Sequence, residues 1–132
     1  MTPVVYIAGP FRGPNSYEME ENIRRAEQLA LQVWAAGGAA LCPHANTRFF
    51  QGVLPDQVWL DGDLALLLKC DALLMTPDWE RSSGARAERD FALSHRLPVF
   101  HDLAHLRTWI DVQRADEPLY PVIVQTLDTV LD

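Results

Sequence analysis

The chain has 132 residues, of which 48% are hydrophobic and 22% are charged, and its formal net charge is −7. This length and balance predict one soluble globular domain that spans residues 1–132. The negative charge argues against a nucleic acid polymer as partner, although a local cluster of donors can still bind one small anion.

The first predicted elements are a buried strand and a long helix. Val4–Ala8 is a continuous apolar run, and neither a basic segment nor a signal-like segment precedes it. Ser16–Ala36 carries an apolar stripe with helical spacing that includes Trp34, and Gly37 follows its end. No apolar run approaches the roughly 20 residues that span a bilayer. We therefore expect a cytoplasmic protein without a membrane partner.

Strands and helices continue to alternate through the rest of the chain. The predicted elements are a strand at Ala39–Cys42, an aperiodic loop at 43–54, a helix at Pro55–Lys69, a strand at Asp71–Met75, a loop at Pro77–Ser82, a helix that begins there and ends near His95, a strand at Pro98–Phe100, a helix from Asp102 and a final helix from Val122. This alternation predicts a parallel sheet with helices on both faces. We expect a flavodoxin-like three-layer α/β/α domain with four or five parallel strands.

Two loops are predicted to lie where such a sheet binds its ligands, at the carboxyl ends of strands beside the reversal of strand order. Gly9–Asn15 follows the first strand, and Pro77–Gly84 follows the third. Gly9 would let the backbone approach a ligand closely, Phe11 could cover a base or a sugar, and Arg12 could pair with a phosphate. A plain tight turn is the alternative interpretation of the first loop.

Further candidates for ligand contact lie at the same predicted edge. Ser82, Ser83 and Gly84 open a helix whose first amides suit an anion, although simple capping is the alternative. His44 follows the second strand and either contacts a ligand or bonds a backbone carbonyl. The first loop has neither a phosphate-binding P-loop pattern nor a dinucleotide fingerprint, and we predict no cofactor.

The two cysteines are predicted to be buried, reduced thiols. Cys42 and Cys70 both lie in apolar settings, which is common for free cysteine. Cys42 and His44 also form a Cys-x-His pair, but no second pair with metal-ligand spacing exists in the sequence. We therefore predict no metal site.

Two carboxylates fall on helix faces that should point inward. Asp63 shares an apolar stripe with Leu60 and Leu67, and Glu88 shares one with Ala92 and His95. Burying an unpartnered carboxylate costs several kcal/mol, so each should have a structural or a chemical reason to be there.

The inward carboxylates have a structural and a catalytic interpretation. The structural one is a buried cap or an ion pair, for instance with Arg12 or His44. In the catalytic interpretation, Glu88 is a nucleophile toward an anomeric carbon. It lies near the start of a helix, whose dipole favours the ionised form of the carboxyl group. Asp63 would then protonate the departing base, as in retaining glycosidases.

Three segments together resemble the nucleoside 2-deoxyribosyltransferase-like superfamily, which includes deoxynucleoside 5'-monophosphate N-glycosidases. The matching segments are Val5–Phe11, Asp63–Ala72 and Ser83–Glu88 leading to Leu97–Val99. The resemblance implies a flavodoxin-like domain that is commonly a homo-oligomer. It also implies that Glu88 attacks the sugar C1', that Asp63 assists, and that Tyr6 helps to hold the glutamate.

The resemblance favours the hydrolytic branch with a phosphorylated substrate. Ser82 stands where the transferases carry an acidic residue, and Arg12 also resembles the nucleotide-hydrolysing branch. We expect an N-glycosidase for a (deoxy)nucleoside 5'-monophosphate that works through a covalent glycosyl–Glu88 intermediate. The alternatives are base exchange between deoxynucleosides, a non-catalytic nucleotide-binding module, and a structural role in an assembly.

Overall fold

A computed structural model describes residues 1–115, and the final helix predicted from Val122 lies outside these residues. The strands are β1 (Val4–Ala8), β2 (Ala39–Leu41), β3 (Ala72–Met75) and β4 (Val99–Phe100). The helices are α1 (Ser16–Ala35), α2 (Pro43–Asn46), α3 (Asp56–Leu67), α4 (Ser83–Ser94) and α5 (Leu103–Ala115), with a short 3-10 helix at Trp79–Arg81.

The four described strands form one parallel sheet in the order β2-β1-β3-β4. Tyr6 in β1 pairs with Leu41 on one side and with Leu73 on the other, and Ala8 pairs with Met75 at the carboxyl end. Because β1 lies between β2 and β3, the strand order reverses at β1, and the crevice that this reversal opens lies between the loops after β1 and β3. The expected parallel α/β architecture is confirmed.

Alternating side chains of the strands supply two separate hydrophobic clusters, one on each face of the sheet. Val5 and Ile7 pack into a cluster with α1 and α5, while Tyr6 and Ala8 pack into a cluster with α3 and α4. Successive residues of a strand point to opposite faces, so this alternation is what directs Tyr6 toward α4.

The structure corrects four details of the sequence-based assignment. The segment predicted as an aperiodic loop begins with the short helix α2, which Pro43 starts. Trp34 was predicted in the apolar stripe of α1 but is 57% exposed, and His95 was predicted to point inward but is exposed. Leu60 was predicted to share the buried stripe of Leu67 but is half exposed.

None of the helices within residues 1–115 combines the length and the hydrophobicity that crossing a lipid bilayer requires.

Candidate active site

A cavity of about 670 Å³ opens at the carboxyl edge of the sheet, beside the reversal of strand order. The loops after β1 and β3, the start of α4 and one face of α3 enclose it. Of the predicted site residues, all except Tyr6 line this cavity: they are Gly9, Phe11, Arg12, His44, Asp63, Ser82, Ser83, Gly84 and Glu88. The structure therefore brings together residues that lie up to 79 positions apart in the chain.

Glu88 lies on the inward face of α4, where helical spacing predicted it. Its neighbours on that face, Ala85 and Ala92, are both buried, and Glu88 itself is partly buried where it lines the cavity. Tyr6 is fully buried beneath the cavity, and its hydroxyl donates a hydrogen bond to Oε2 of Glu88. The glutamate is thus fixed from below by a strand residue and faces the cavity from a helix.

Asp63 approaches the same region from α3. It is partly buried one turn before the fully buried Leu67, and it lines the cavity. Burial raises the pKa of Asp63 to about 6. Neither Asp63 nor Glu88 forms an ion pair with any residue in the described range, so the ion pairs with Arg12 or His44 considered above are not formed there.

The pKa of Glu88 is also raised, to about 7. Burial is the largest cause; the hydrogen bond from Tyr6 opposes it, and the nearby charge of Asp63 adds to it. Desolvation thus moves the pKa of Glu88 toward neutral pH, opposite to the direction in which the dipole of α4 acts. Burial and the same two carboxylates raise the pKa of Tyr6 well above its usual range, so its hydroxyl stays a donor.

The carboxyl groups of Glu88 and Asp63 both have pKa values near neutral pH, so both change their protonation state there. Glu88 and Asp63 titrate at about 7 and about 6, so a singly protonated pair is well populated between those values. One carboxylate and one carboxylic acid in the same cavity supply a nucleophile or base together with a proton donor.

Two cationic side chains line the mouth of the cavity, and each has a carboxylate partner. Arg12 forms an ion pair with Asp56 at the start of α3, and both side chains are partly exposed. Arg81 pairs with Asp78 at 2.8 Å. To bind a ligand anion, Arg12 would have to release Asp56. A guanidinium can bond a phosphate with the same paired geometry that it uses for a carboxylate.

The serines and glycines predicted to contact a ligand have defined positions. Ser82 is the N-cap of α4, and its side chain accepts from the Ala85 amide at 3.0 Å. Ser83 and Gly84 are the first residues of that helix, where amides have no intrahelical acceptor. At Gly9 an added Cβ would lie 2.3 Å from Oγ1 of Thr76, so close packing against β3 requires glycine there.

His44 bonds backbone carbonyls, and Phe11 packs against it. Nε2 of His44 lies 3.0 Å from the Gly9 carbonyl and 2.9 Å from the Pro10 carbonyl, and the rings of Phe11 and His44 meet edge to face at 6.0 Å. His44 is 6% exposed, and burial lowers its pKa. It therefore bonds the first loop as a neutral ring and also lines the cavity.

Some cavity residues were missed by the sequence analysis. Asp56 and Trp59 lie seven and four positions before Asp63 on α3, so helical spacing from Asp63 was a signal that could have found both. Outside the cavity lining, Asn22 was missed as well; it is a buried amide one turn from Ala26, inside the apolar stripe of α1.

Within residues 1–115 the structure brings together no group of three or more metal-ligating side chains, and both cysteines there are free thiols. Burial raises the pKa of the Cys70 thiol to about 11, which keeps it protonated and unreactive at neutral pH.

The model of one protein family matches the chain over residues 3–101, a range that contains β1 through β4 and every cavity residue. That family is described as a domain of unknown function, DUF4406, and the chain belongs to it. No curated protein matches the sequence.

Proposed function

We propose that this chain, as a member of the DUF4406 family, hydrolyses the N-glycosidic bond of a (deoxy)nucleoside 5'-monophosphate. The observation that carries the proposal is the pair Glu88 and Asp63 in one cavity, with Tyr6 donating to Glu88 from beneath. The resemblance to the nucleoside 2-deoxyribosyltransferase-like superfamily supports the same assignment.

In the first step the carboxylate of Glu88 attacks C1' of the sugar. The bond from C1' to the base nitrogen breaks, its electron pair stays on that nitrogen, and the nitrogen takes the proton of Asp63. In the second step water attacks C1' while Asp63 accepts its proton, and Glu88 leaves as a carboxylate. The products are the free base and a sugar 5-phosphate, and both carboxyl groups return to their starting states.

The raised pKa values support this division of work. The productive form needs Glu88 ionised and Asp63 protonated, which is one of the two singly protonated forms of the pair. Because burial raises both pKa values, to about 7 and about 6, singly protonated forms of the pair are accessible near neutral pH. Tyr6 stabilises the productive form, since its hydrogen bond lowers the pKa of Glu88.

The mouth of the cavity supports a phosphorylated substrate. Arg12, Ser83 and Gly84 line it, and together they offer a guanidinium and the first amides of α4 to an anion. Phe11 and Trp59 line the same cavity and supply apolar surface for a base or a sugar. The net negative charge of the chain disfavours a polyanion, which leaves a small-molecule phosphate as the ligand.

We also propose that the protein acts as a homo-oligomer. Phe49 and Val53, in the segment between α2 and α3, are 84% and 71% exposed and lie next to the cavity residues Thr47 and Gln51. Apolar side chains that are exposed together favour contact with a second copy of the chain. The sedimentation coefficient of wild type should therefore exceed that of a monomer, and Phe49→Ser with Val53→Ser should lower it; a monomeric wild type contradicts this part of the proposal.

The proposal is tested by measuring free base after incubation with nucleosides and 5'-monophosphates, with and without a second base. We expect wild type to release base from monophosphates, Glu88→Ala to release none, and the exposed-site control Glu80→Gln to match wild type. New nucleoside that forms only with added base would identify a transferase. Undiminished release by Glu88→Ala, or no release by wild type, contradicts the proposal, and the latter favours a nucleotide-binding module.

A further inference from the structure

The loop between β1 and α1 is held by two buried polar side chains that lie outside it. One is His44, which is bonded to the first two carbonyls of the loop as described above. Because both partners of Nε2 are carbonyl oxygens, Nε2 carries the ring proton and donates it. Nδ1 is then an acceptor, and it is buried without a hydrogen-bond partner in the described part of the chain. The histidine thus acts on this loop only as a donor.

The other side chain is Asn22, which continues the same pattern from α1. Its Nδ2 lies 3.3 Å from the carbonyl of Phe11 and 3.2 Å from the carbonyl of Arg12. Its Oδ1 accepts from the guanidinium of Arg25, which fixes the orientation of the amide. Asn22 is 6% exposed, so these contacts form away from water, where an unpaired amide would be costly.

Four consecutive carbonyls, those of residues 9–12, are therefore bonded by two buried donor groups. A trans peptide unit points its N–H opposite to its C=O, and the described chain has no cis peptide bond. The amides of Phe11, Arg12 and Gly13 must consequently point away from Asn22 and His44. None of the three donates a hydrogen bond to another described residue.

The carbonyls of residues 9–12 are therefore occupied by protein donors, whereas the amides of residues 11–13 keep their donor capacity. The side chain of Arg12 adds a cation to the same loop, and its residues 9–12 line the cavity. A surface that offers only donors favours a ligand group that offers only acceptors, and a phosphate dianion is such a group.

We propose that Asn22 and His44 are positioning residues, which turn the backbone amides of residues 11–13 toward the cavity to bind the phosphate of the substrate. The identity of that substrate as a nucleoside 5'-monophosphate rests on the function proposed above. The role of the two side chains is indirect: they bond the carbonyl ends of the peptide units whose amide ends meet the ligand.

The first test uses inorganic phosphate as the probe and amide NMR as the readout. Titration of wild type should shift the amide signals of Phe11, Arg12 and Gly13 with a single dissociation constant. Asn22→Asp removes the donor and keeps an oxygen for Arg25, and it should weaken phosphate binding about tenfold or more.

The matched control for that variant is Asn15→Asp. Asn15 caps α1 by accepting from the Glu18 amide, a role that aspartate performs equally well, and the substitution adds the same charge near the same loop. It should change the dissociation constant by less than about threefold, on the scale of a screened surface charge. If both variants weaken phosphate binding equally, the added charge alone explains the effect of Asn22→Asp, and the inference is overturned.

A conservative rescue tests His44 in the same way. His44→Gln retains a donor and should keep most of the phosphate binding, whereas His44→Leu has a similar volume without a donor and should lose it. The amide signals of the core should remain in both variants, which shows that a loss of phosphate binding comes from the loop and not from unfolding. Wild-type affinity in His44→Leu, or wild-type shifts confined to Ser83 and Gly84, would overturn the inference.

Turnover then separates this inference from the proposed function. If phosphate shifts the loop amides but no monophosphate is cleaved, the positioning role stands and the proposed hydrolase fails. If monophosphates are cleaved, Asn22→Asp should raise KM for monophosphates with little change in kcat and should leave cleavage of unphosphorylated nucleosides near wild type. An equal loss for both substrates would contradict the positioning role while the hydrolase stands.

Discussion

Replacing Glu88 with glutamine should stabilise the folded protein at alkaline pH while it abolishes turnover. Glu88 is a carboxyl group that the fold holds in a poorly solvated position above Tyr6. Glutamine keeps an oxygen that accepts from the tyrosine hydroxyl but cannot ionise. The variant therefore removes the cost of ionising a buried group and leaves the packing of α4 almost unchanged.

The magnitude follows from the pKa of Glu88, which the fold raises from an ordinary value of 4.5 to about 7. A carboxyl group with a raised folded pKa contributes its full stability below the unfolded value, and this contribution is lost as the pH rises through the folded value. At about 1.4 kcal/mol per pH unit between 4.5 and 7, wild type loses about 3 kcal/mol by pH 8. At pH 5 the loss is still below about 1 kcal/mol.

Urea denaturation followed by tryptophan fluorescence measures this difference, since the chain has four tryptophans. At pH 8 the midpoint of Glu88→Gln should exceed that of wild type by about 1.5 M, for a slope of about 2 kcal/mol per molar urea. At pH 5 the two midpoints should differ by less than about 0.5 M. Glu80→Gln is the control, because Glu80 is exposed. Equal gains at both pH values would refute the raised pKa as the cause.

Three further predictions concern the groups around Glu88. Tyr6→Phe removes the hydrogen bond that lowers the pKa of Glu88, so the Glu88 carboxyl carbon should titrate at a higher pH by NMR; an unmoved titration contradicts the coupling. Asp63→Asn removes a charge that raises the pKa of Glu88, so the Glu88 carbon should titrate at a lower pH, and the residual kcat/KM should lose its alkaline limb; a retained alkaline limb would assign it to another group. Asp56→Asn frees Arg12 from its ion pair, so KM for monophosphates should fall about two- to tenfold at low salt, with no such fall for nucleosides.

The fold could be predicted well because strand and helix patterns are local. Val4–Ala8 is apolar without interruption, as a strand covered on both faces requires, and every residue of it after Val4 is buried. The short helix α2 could not be predicted, since four residues complete barely one turn and show no periodicity. Trp34 follows the helical spacing of its stripe but lies at the edge of the buried face, and spacing alone does not define how wide that face is.

The positions of the candidate site residues could be predicted where a polar group interrupts an apolar pattern. Glu88 and Asp63 were found in this way, because each occupies an inward position of a helix. Asn22 carries the same signal in α1, but the partners of its amide are carbonyls of a loop, and no local pattern predicts such contacts. The raised pKa of Glu88 could not be predicted either, since desolvation depends on the three-dimensional surroundings.

The most direct test of the central claim is a search for the covalent intermediate. Wild type and Glu88→Gln would be mixed with the 5'-monophosphates, quenched in acid within milliseconds to seconds, digested and mapped by mass spectrometry. The proposed mechanism predicts a sugar 5-phosphate ester on the peptide that contains Glu88, in wild type and not in the variant. Base release by wild type with the ester on another residue, or with an adduct that persists in Glu88→Gln, would contradict the assignment of Glu88 as the nucleophile.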